Sequence, residues 1–167
     1  MSEKYLIVGA TGSIGSNLAE QMHTSGKEIH LVGRDESQLE KLSEKLNSQY
    51  TVTDVLDDGF VDKIKSDISD IKGLAYCVGS IDLKPLRTVK KQDIERCLNV
   101  NFFPIVEIIK VFQDNLKRNK GSIVLFSTVA VQKGFTNHSI ISSTKGAIEG
   151  LTVSLACLLY TSDAADE

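Results

Sequence analysis

The residues most able to do chemistry open the chain. An apolar run, Tyr5 to Val8, leads straight into GATGSIG, with Gly9, Gly12 and Gly15 spaced by three. A pyrophosphate needs close approach to backbone N–H groups, a tight turn that side chains would obstruct, and the positive end of a helix dipole. Glycines at these points meet all three needs. Placed between a strand and a helix, the whole turn, including Thr11, Ser13 and Ile14, reads as a dinucleotide cradle rather than a plain turn. A second run ends in Val32, Gly33 and Arg34. An arginine there can pair with the extra phosphate of NADP, whereas an acid would bind the ribose of NAD. Arg34 therefore favours NADP, with NAD as the alternative, because the rival Asp35 is explained as a helix cap followed by Gln38.

These groups must be positioned by repeated strand and helix units. Five short runs read as strands: Tyr5 to Val8, Ile29 to Val32, Tyr50 to Val52, Leu74 to Val78 and Ile123 to Phe126. Most are apolar almost throughout, as strands covered on both faces must be. Between them the spacing changes to three and four. Ile14, Leu18 and Met22 share one helix face; Leu39, Leu42 and Leu46 a second; Val61, Ile64 and Ile68 a third. A longer helix carries Ile105, Ile109, Phe112 and Leu116 behind Pro104, and a last one Ile148, Leu151, Leu155 and Leu158. The alternation predicts a doubly wound parallel sheet in three αβα layers.

Composition narrows the classes. The chain has 167 residues, 41% hydrophobic and 25% charged, which excludes a disordered or fibrous polymer. Its 19 basic and 22 acidic side chains suit neither nucleic acid nor an anionic membrane as partner. No apolar run approaches a membrane span. Cys77, Cys97 and Cys157 are too scattered for a disulfide framework or a zinc site, so a reducing cytoplasm is expected and no metal. After Ala156 the chain reads CLLYTSDAADE, which resembles a translated sequencing adaptor. The expected division is therefore a dinucleotide-binding domain over 1–156 and a non-native tail over 157–167, whose Asp163, Asp166 and Glu167 carry the whole acidic excess.

From Tyr5 to Ala156 the chain resembles the short-chain dehydrogenase/reductase family. GATGSIG matches the family's glycine loop, with Gly12 one place early. Asp54 with Val55 matches the acid that contacts adenine, and Gly79 matches the last residue of the family's Asn-Asn-Ala-Gly segment, the rest of which falls on Tyr76, Cys77 and Val78. Asn101 in NVNFF matches the catalytic asparagine, and Thr128 in LFSTVA the serine that orients the substrate oxygen, with Ser127 beside it. In NHSIISSTKGAIEGLT, Lys145 matches the lysine that holds the nicotinamide ribose, while the proton-donating tyrosine four residues earlier is Ile141. Isoleucine holds no proton. His138 shares Lys145's helix face at a spacing of seven, unless it lies in a loop ahead of the helix.

The resemblance implies a Rossmann-type oxidoreductase, incomplete at its C-terminal edge. It would transfer hydride between NADP or NAD and a small carbonyl or alcohol, and its subunits would pair through the two long helices. The alternative, favoured by Ile141, is a dinucleotide-binding protein without catalysis. A methyltransferase leaves Lys145 and Asn101 unexplained.

Overall fold

A computed structural model describes residues 4–160. The five apolar runs become β1 (Lys4–Val8), β2 (Glu28–Gly33), β3 (Gln49–Val52), β4 (Gly73–Tyr76) and β5 (Ser122–Leu125). They form one sheet in the order β3-β2-β1-β4-β5. Pairing is parallel from β3 through β4, with Val8 facing Val32 on one side and Tyr76 on the other. The first three strands wind one way from β1 and the fourth starts on its other edge, a switch of direction beside which open sheets bind ligands.

The chain divides into two compact units, one running to Val78 and resumed over Glu107–Val124, the other Gly79–Val106 with the residues from Leu125 onward. In the first, α1 (Ser13–Thr24) and α2 (Glu36–Leu46) cover one sheet face, where Ala19, Leu39 and Leu46 pack on Ile7, Ile29 and Leu31. The alternate residues Leu6, Val8 and Val32 are buried too, so the central strands are covered on both faces and need not alternate with polar residues, whereas β5 at the edge buries none of its residues. On this second face α3 (Phe60–Asp67) buries Phe60, Val61 and Ile64. The helix α5 (Phe103–Arg118) buries Ile105, Ile109, Phe112 and Leu116, with Pro104 in its first turn as the spacing predicts. Its end is pinned by Asp70, which accepts from Asn115, Arg118 and Asn119.

The second unit holds α4 (Lys91–Asn101), 3-10 turns at Leu86–Thr88 and Val129–Val131, and α6 (Ser139–Tyr160). Its small core joins Cys97, Ile140 and Ile141, with Val89 against them. The tail expected over 157–167 enters α6 at its start, and from residue 161 it lies outside the described residues.

Three sequence readings shift in detail. Ile14 is 52% exposed, because α1 turns Gly15 and Ala19 inward and leaves Leu18 and Met22 half-buried. Asp35 does cap α2, accepting from the Gln38 amide at 3.0 Å, but the Gln38 side chain donates back to the same carboxylate at 2.8 Å. A carboxylate only accepts, so both bonds run toward it. In α6 it is Leu159, not Leu158, that is buried. No helix among the described residues is long and apolar enough to cross a membrane. Among the same residues no group of three His, Cys, Asp or Glu could hold a metal, and Cys77 and Cys97 form no disulfide.

One polar residue sits in the middle of β2. His30 is 1% exposed, with Nε2 2.8 Å from Thr51 Oγ1, and that hydroxyl donates to Asp67 at 2.6 Å. The single hydroxyl proton goes to the carboxylate, so His30 Nε2 must donate and Nδ1 is left buried without a partner. Burial holds the His30 pKa down to about 4, with Lys4 adding to the effect and Asp67 opposing it. The unfolded histidine titrates near about 6.5, so the unfolded chain binds more protons between these values and stability is lost as pH falls from 6.5 toward 4, by on the order of 3 kcal/mol. The urea midpoint is expected to fall between pH 6.5 and 5 in the wild type and much less in His30→Gln. An equal fall in both proteins contradicts this assignment.

Candidate functional site

The turn after β1 is built from backbone. Gly9 N and Ala10 N both donate to Val32 O, at 2.8 and 2.9 Å, which ties the turn to the end of β2. Gly12 N donates to Gly9 O at 3.1 Å, and the first rung of α1 is Ser16 N to Gly12 O at 2.9 Å. The amides of Ser13, Ile14 and Gly15 therefore precede the helical ladder. No side chain caps them and no acid lies in the first turn.

Each glycine has its own reason. Gly9 has φ 82°, and a Cβ there would lie 2.8 Å from Val78 Cγ2 and 2.9 Å from its amide nitrogen. At Gly15 a Cβ would fall 2.2 Å from Gly9 O, which no adjustment of a side chain relieves. Gly12 differs. Its φ of −74° suits any residue, and a Cβ would meet only Gly9 O at 3.4 Å. Nothing in the folded chain requires glycine there, whereas a phosphate seated on the free amides does. A dinucleotide's diphosphate thus fits this turn by both charge and space.

At the ends of β2 and β3, Arg34 and Asp54, both expected to contact the nucleotide, meet. Arg34 Nη1 lies 3.3 Å from Asp54 Oδ2, with Arg34 78% exposed. Such an exposed pair is weak and leaves the guanidinium available to a phosphate. Lys63, which no sequence signal marks, lines the same hollow. Asp54 also accepts from Leu56 N at 3.0 Å, a turn role that its spacing allows, and Val55 beside it is buried.

The second unit gathers three of the expected residues. Asn101 is fully buried; its Nδ2 donates to Cys97 O at 3.0 Å and Ser80 O at 3.1 Å, and its Oδ1 accepts from Ser80 N at 3.3 Å. This clamp fixes the segment after Gly79. A Cβ on Gly79 would lie 3.2 Å from Asn101 Oδ1 and 3.9 Å from Lys145 Nζ, so this glycine keeps the lysine's surroundings open. Lys145 is half-buried, and its ammonium makes no hydrogen bond or ion pair with any described residue. Burial pulls its pKa below the usual lysine value, against an opposing pull from Cys97.

Thr128 caps the 3-10 turn, accepting from Ala130 N at 3.3 Å. Ser142 Oγ donates to Ala130 O at 2.7 Å, which fastens that turn to α6 one turn before Lys145. Ile141 is 4% exposed, packed with Cys97 and Ile140. His138 lies ahead of α6: its carbonyl accepts from Ser142 N, and its Nδ1 sits 2.7 Å from Thr136 O. The loop alternative for this histidine is the one realised. Tyr76, in the first unit, is buried, and desolvation pushes its phenol far above the ordinary tyrosine value. Ser80 and Cys97 give no sequence signal for their part in the Asn101 clamp, because that part depends on chain segments 21 and 4 residues away meeting in three dimensions.

The glycine geometry gives a paired expectation. Gly15→Ala should lower Tm by several degrees, since its Cβ strikes backbone, and Gly12→Ala should leave Tm unchanged while weakening NADPH binding at least about tenfold. Calorimetry and thermal melts read both; a Gly12→Ala protein that binds as tightly as wild type removes the phosphate from this turn.

A family model described as short chain dehydrogenase matches residues 3–163. L-xylulose reductase of Bos taurus is 27% identical over 154 residues, covering 90% of this chain and 63% of that protein. A chloroplastic tropinone reductase homolog of Arabidopsis thaliana is 31% identical over 163 residues, covering 91% of this chain and 51% of that protein. The chain thus spans between half and two thirds of the length of these curated relatives. Among solved structures, a short-chain type dehydrogenase/reductase from Mycobacterium ulcerans superposes with a TM-score of 0.85 at 22% identity, covering 97% of this chain and 64% of that one. Serine dehydrogenase from Escherichia coli gives 0.85 at 17% identity, with 94% and 76% covered. These two likenesses establish the Rossmann-type fold. With a glycine turn at the switch of strand direction and a family match over nearly its whole length, the chain belongs to the short chain dehydrogenase family.

Proposed function

We propose that this chain binds NADP, or NAD less tightly, and serves an oxidoreductase that interconverts a small carbonyl compound and its alcohol. The observation that carries the reading is the half-buried ammonium of Lys145, beside Asn101 and Gly79 and with no described partner. A buried cation without an anion is costly unless a ligand completes its shell. A nicotinamide ribose offers the hydroxyls to do so; in the first unit, the amides of Ser13, Ile14 and Gly15 suit a diphosphate. Arg34, with Lys63 in the same hollow, supports a 2′-phosphate on the adenosine ribose. A bound nicotinamide supplies a hydride to a carbonyl carbon.

In this reading the Thr128 hydroxyl, whose proton is donated to no described residue, orients the carbonyl oxygen. Asn101 holds the Ser80 segment in place and leaves the Lys145 side open. The two relatives described above carry the name of reductase, which accords with this chemistry. The competing reading, a dinucleotide-binding protein without turnover, is favoured by Ile141, which fills the tyrosine position with packed hydrocarbon.

Oxidation of NADPH with a panel of aldehydes and ketones separates the two readings: turnover abolished by Lys145→Ala supports the enzyme, and tight NADPH binding with no turnover supports the binder. Arg34→Ala is expected to weaken NADPH at least about tenfold more than NADH, the scale of one lost charge-assisted bidentate contact. Equal losses for the two coenzymes would place the 2′-phosphate elsewhere.

A further inference from the structure

The family's proton donor is absent, and the second unit contains few replacements. The Ser142 hydroxyl is held by Ala130 O, Ser143 by Ser139 O and Ser127 by Glu149. Thr144 is buried, and His138 sits in the loop ahead of α6 with its Nδ1 on Thr136 O. Thr128 can donate a hydrogen bond but is far too weak an acid to release its proton near neutrality. Beside Asn101, apart from the buried thiol of Cys97, Lys145 is the ionisable group whose N–H bonds no described residue takes.

We propose that the ammonium of Lys145 is itself the proton donor to the substrate oxygen. The inference rests on the hydride-transfer reading above. The carbonyl carbon receives hydride from the reduced nicotinamide, and the C=O π pair moves to oxygen. An N–H bond of Lys145 breaks as the O–H bond of the alcohol forms. Lys145 is left as a neutral amine, which solvent reprotonates.

The surroundings suit a lysine that exchanges its proton. Half-burial disfavours the ammonium and brings its acidity toward the working pH, where general acid catalysis is most effective. α4 carries Cys97, which favours the ammonium of Lys145, Asp93, which is held by Lys84, Arg96 and the Lys90 amide, and Lys91 and Glu95, which pair with each other. On α6 itself Glu149 is engaged by Ser127. The 3-10 turn at Val129–Val131 carries no titratable side chain. No carboxylate therefore fixes the ammonium in its charged form. Ile141, packed against Cys97 on the same α6 face, adds hydrocarbon where the family places a phenol.

Two measurements on the full chain test this. Competitive acetylation across pH, read by mass spectrometry, should give Lys145 a lower titration midpoint in the folded chain than in the urea-unfolded chain. Lys145→Arg keeps the charge and donors but cannot release a proton near neutrality; it should bind NADPH within about threefold of wild type yet reduce ketones about 10²- to 10⁴-fold more slowly. A Lys145 midpoint that is the same folded and unfolded, or Lys145→Arg as fast as wild type, overturns the proton-donor role. NADPH that gives no binding heat with wild type overturns the dinucleotide reading itself, and the donor role with it.

Discussion

The Gly15 backbone pressed against the Gly9 carbonyl is the contact on which the remaining structure depends. No side chain fits between them, so the start of α1 is held directly under the end of β1. That closeness orients the first-turn amides away from the sheet and leaves them outside the helical ladder, in the field of the helix dipole. The same crowding fixes the rotation of α1, which explains why Ile14 faces solvent although its spacing matches the buried face. Gly9 meets the Cys77–Val78 backbone with equal economy of space, so the ends of β1 and β4 come together at the switch in sheet direction.

In the second unit the organising element is a buried amide rather than a turn. Asn101 ties Ser80 to α4 through bonds in both directions, and truncating its amide would release that segment. Lys145 stands beside this rigid clamp with a cation that the described protein does not neutralise. In the same unit the buried Asp93 is paired with Lys84 and Arg96.

Much of this was legible in the sequence, for physical reasons. Strands buried on both faces must be nearly continuous in apolar residues, and all five runs became strands with ends displaced by at most two residues. Helices with an apolar stripe announced themselves through Leu39, Ile64 and Phe112. α4 did not, because the face it buries carries Asp93, Cys97 and Asn101, two of them polar. A period of polar residues satisfied by hydrogen bonds gives no hydrophobic signal. At the site, glycine spacing and Lys145 could be read directly, since each has few structural substitutes. The Ser80 clamp, Lys63 in the hollow with Arg34, and the caged His30 could not, because each depends on neighbours distant in sequence.

The central claim is that main-chain hydrogens at the start of α1 hold a diphosphate. Its most direct measurement is the amide spectrum of the ¹⁵N-labelled protein during titration with NADPH. Large shifts centred on Ser13, Ile14 and Gly15, reproduced by pyrophosphate alone at higher concentration, are the result this account requires. Saturating coenzyme that leaves those three amides unmoved, while resonances elsewhere shift, would contradict it.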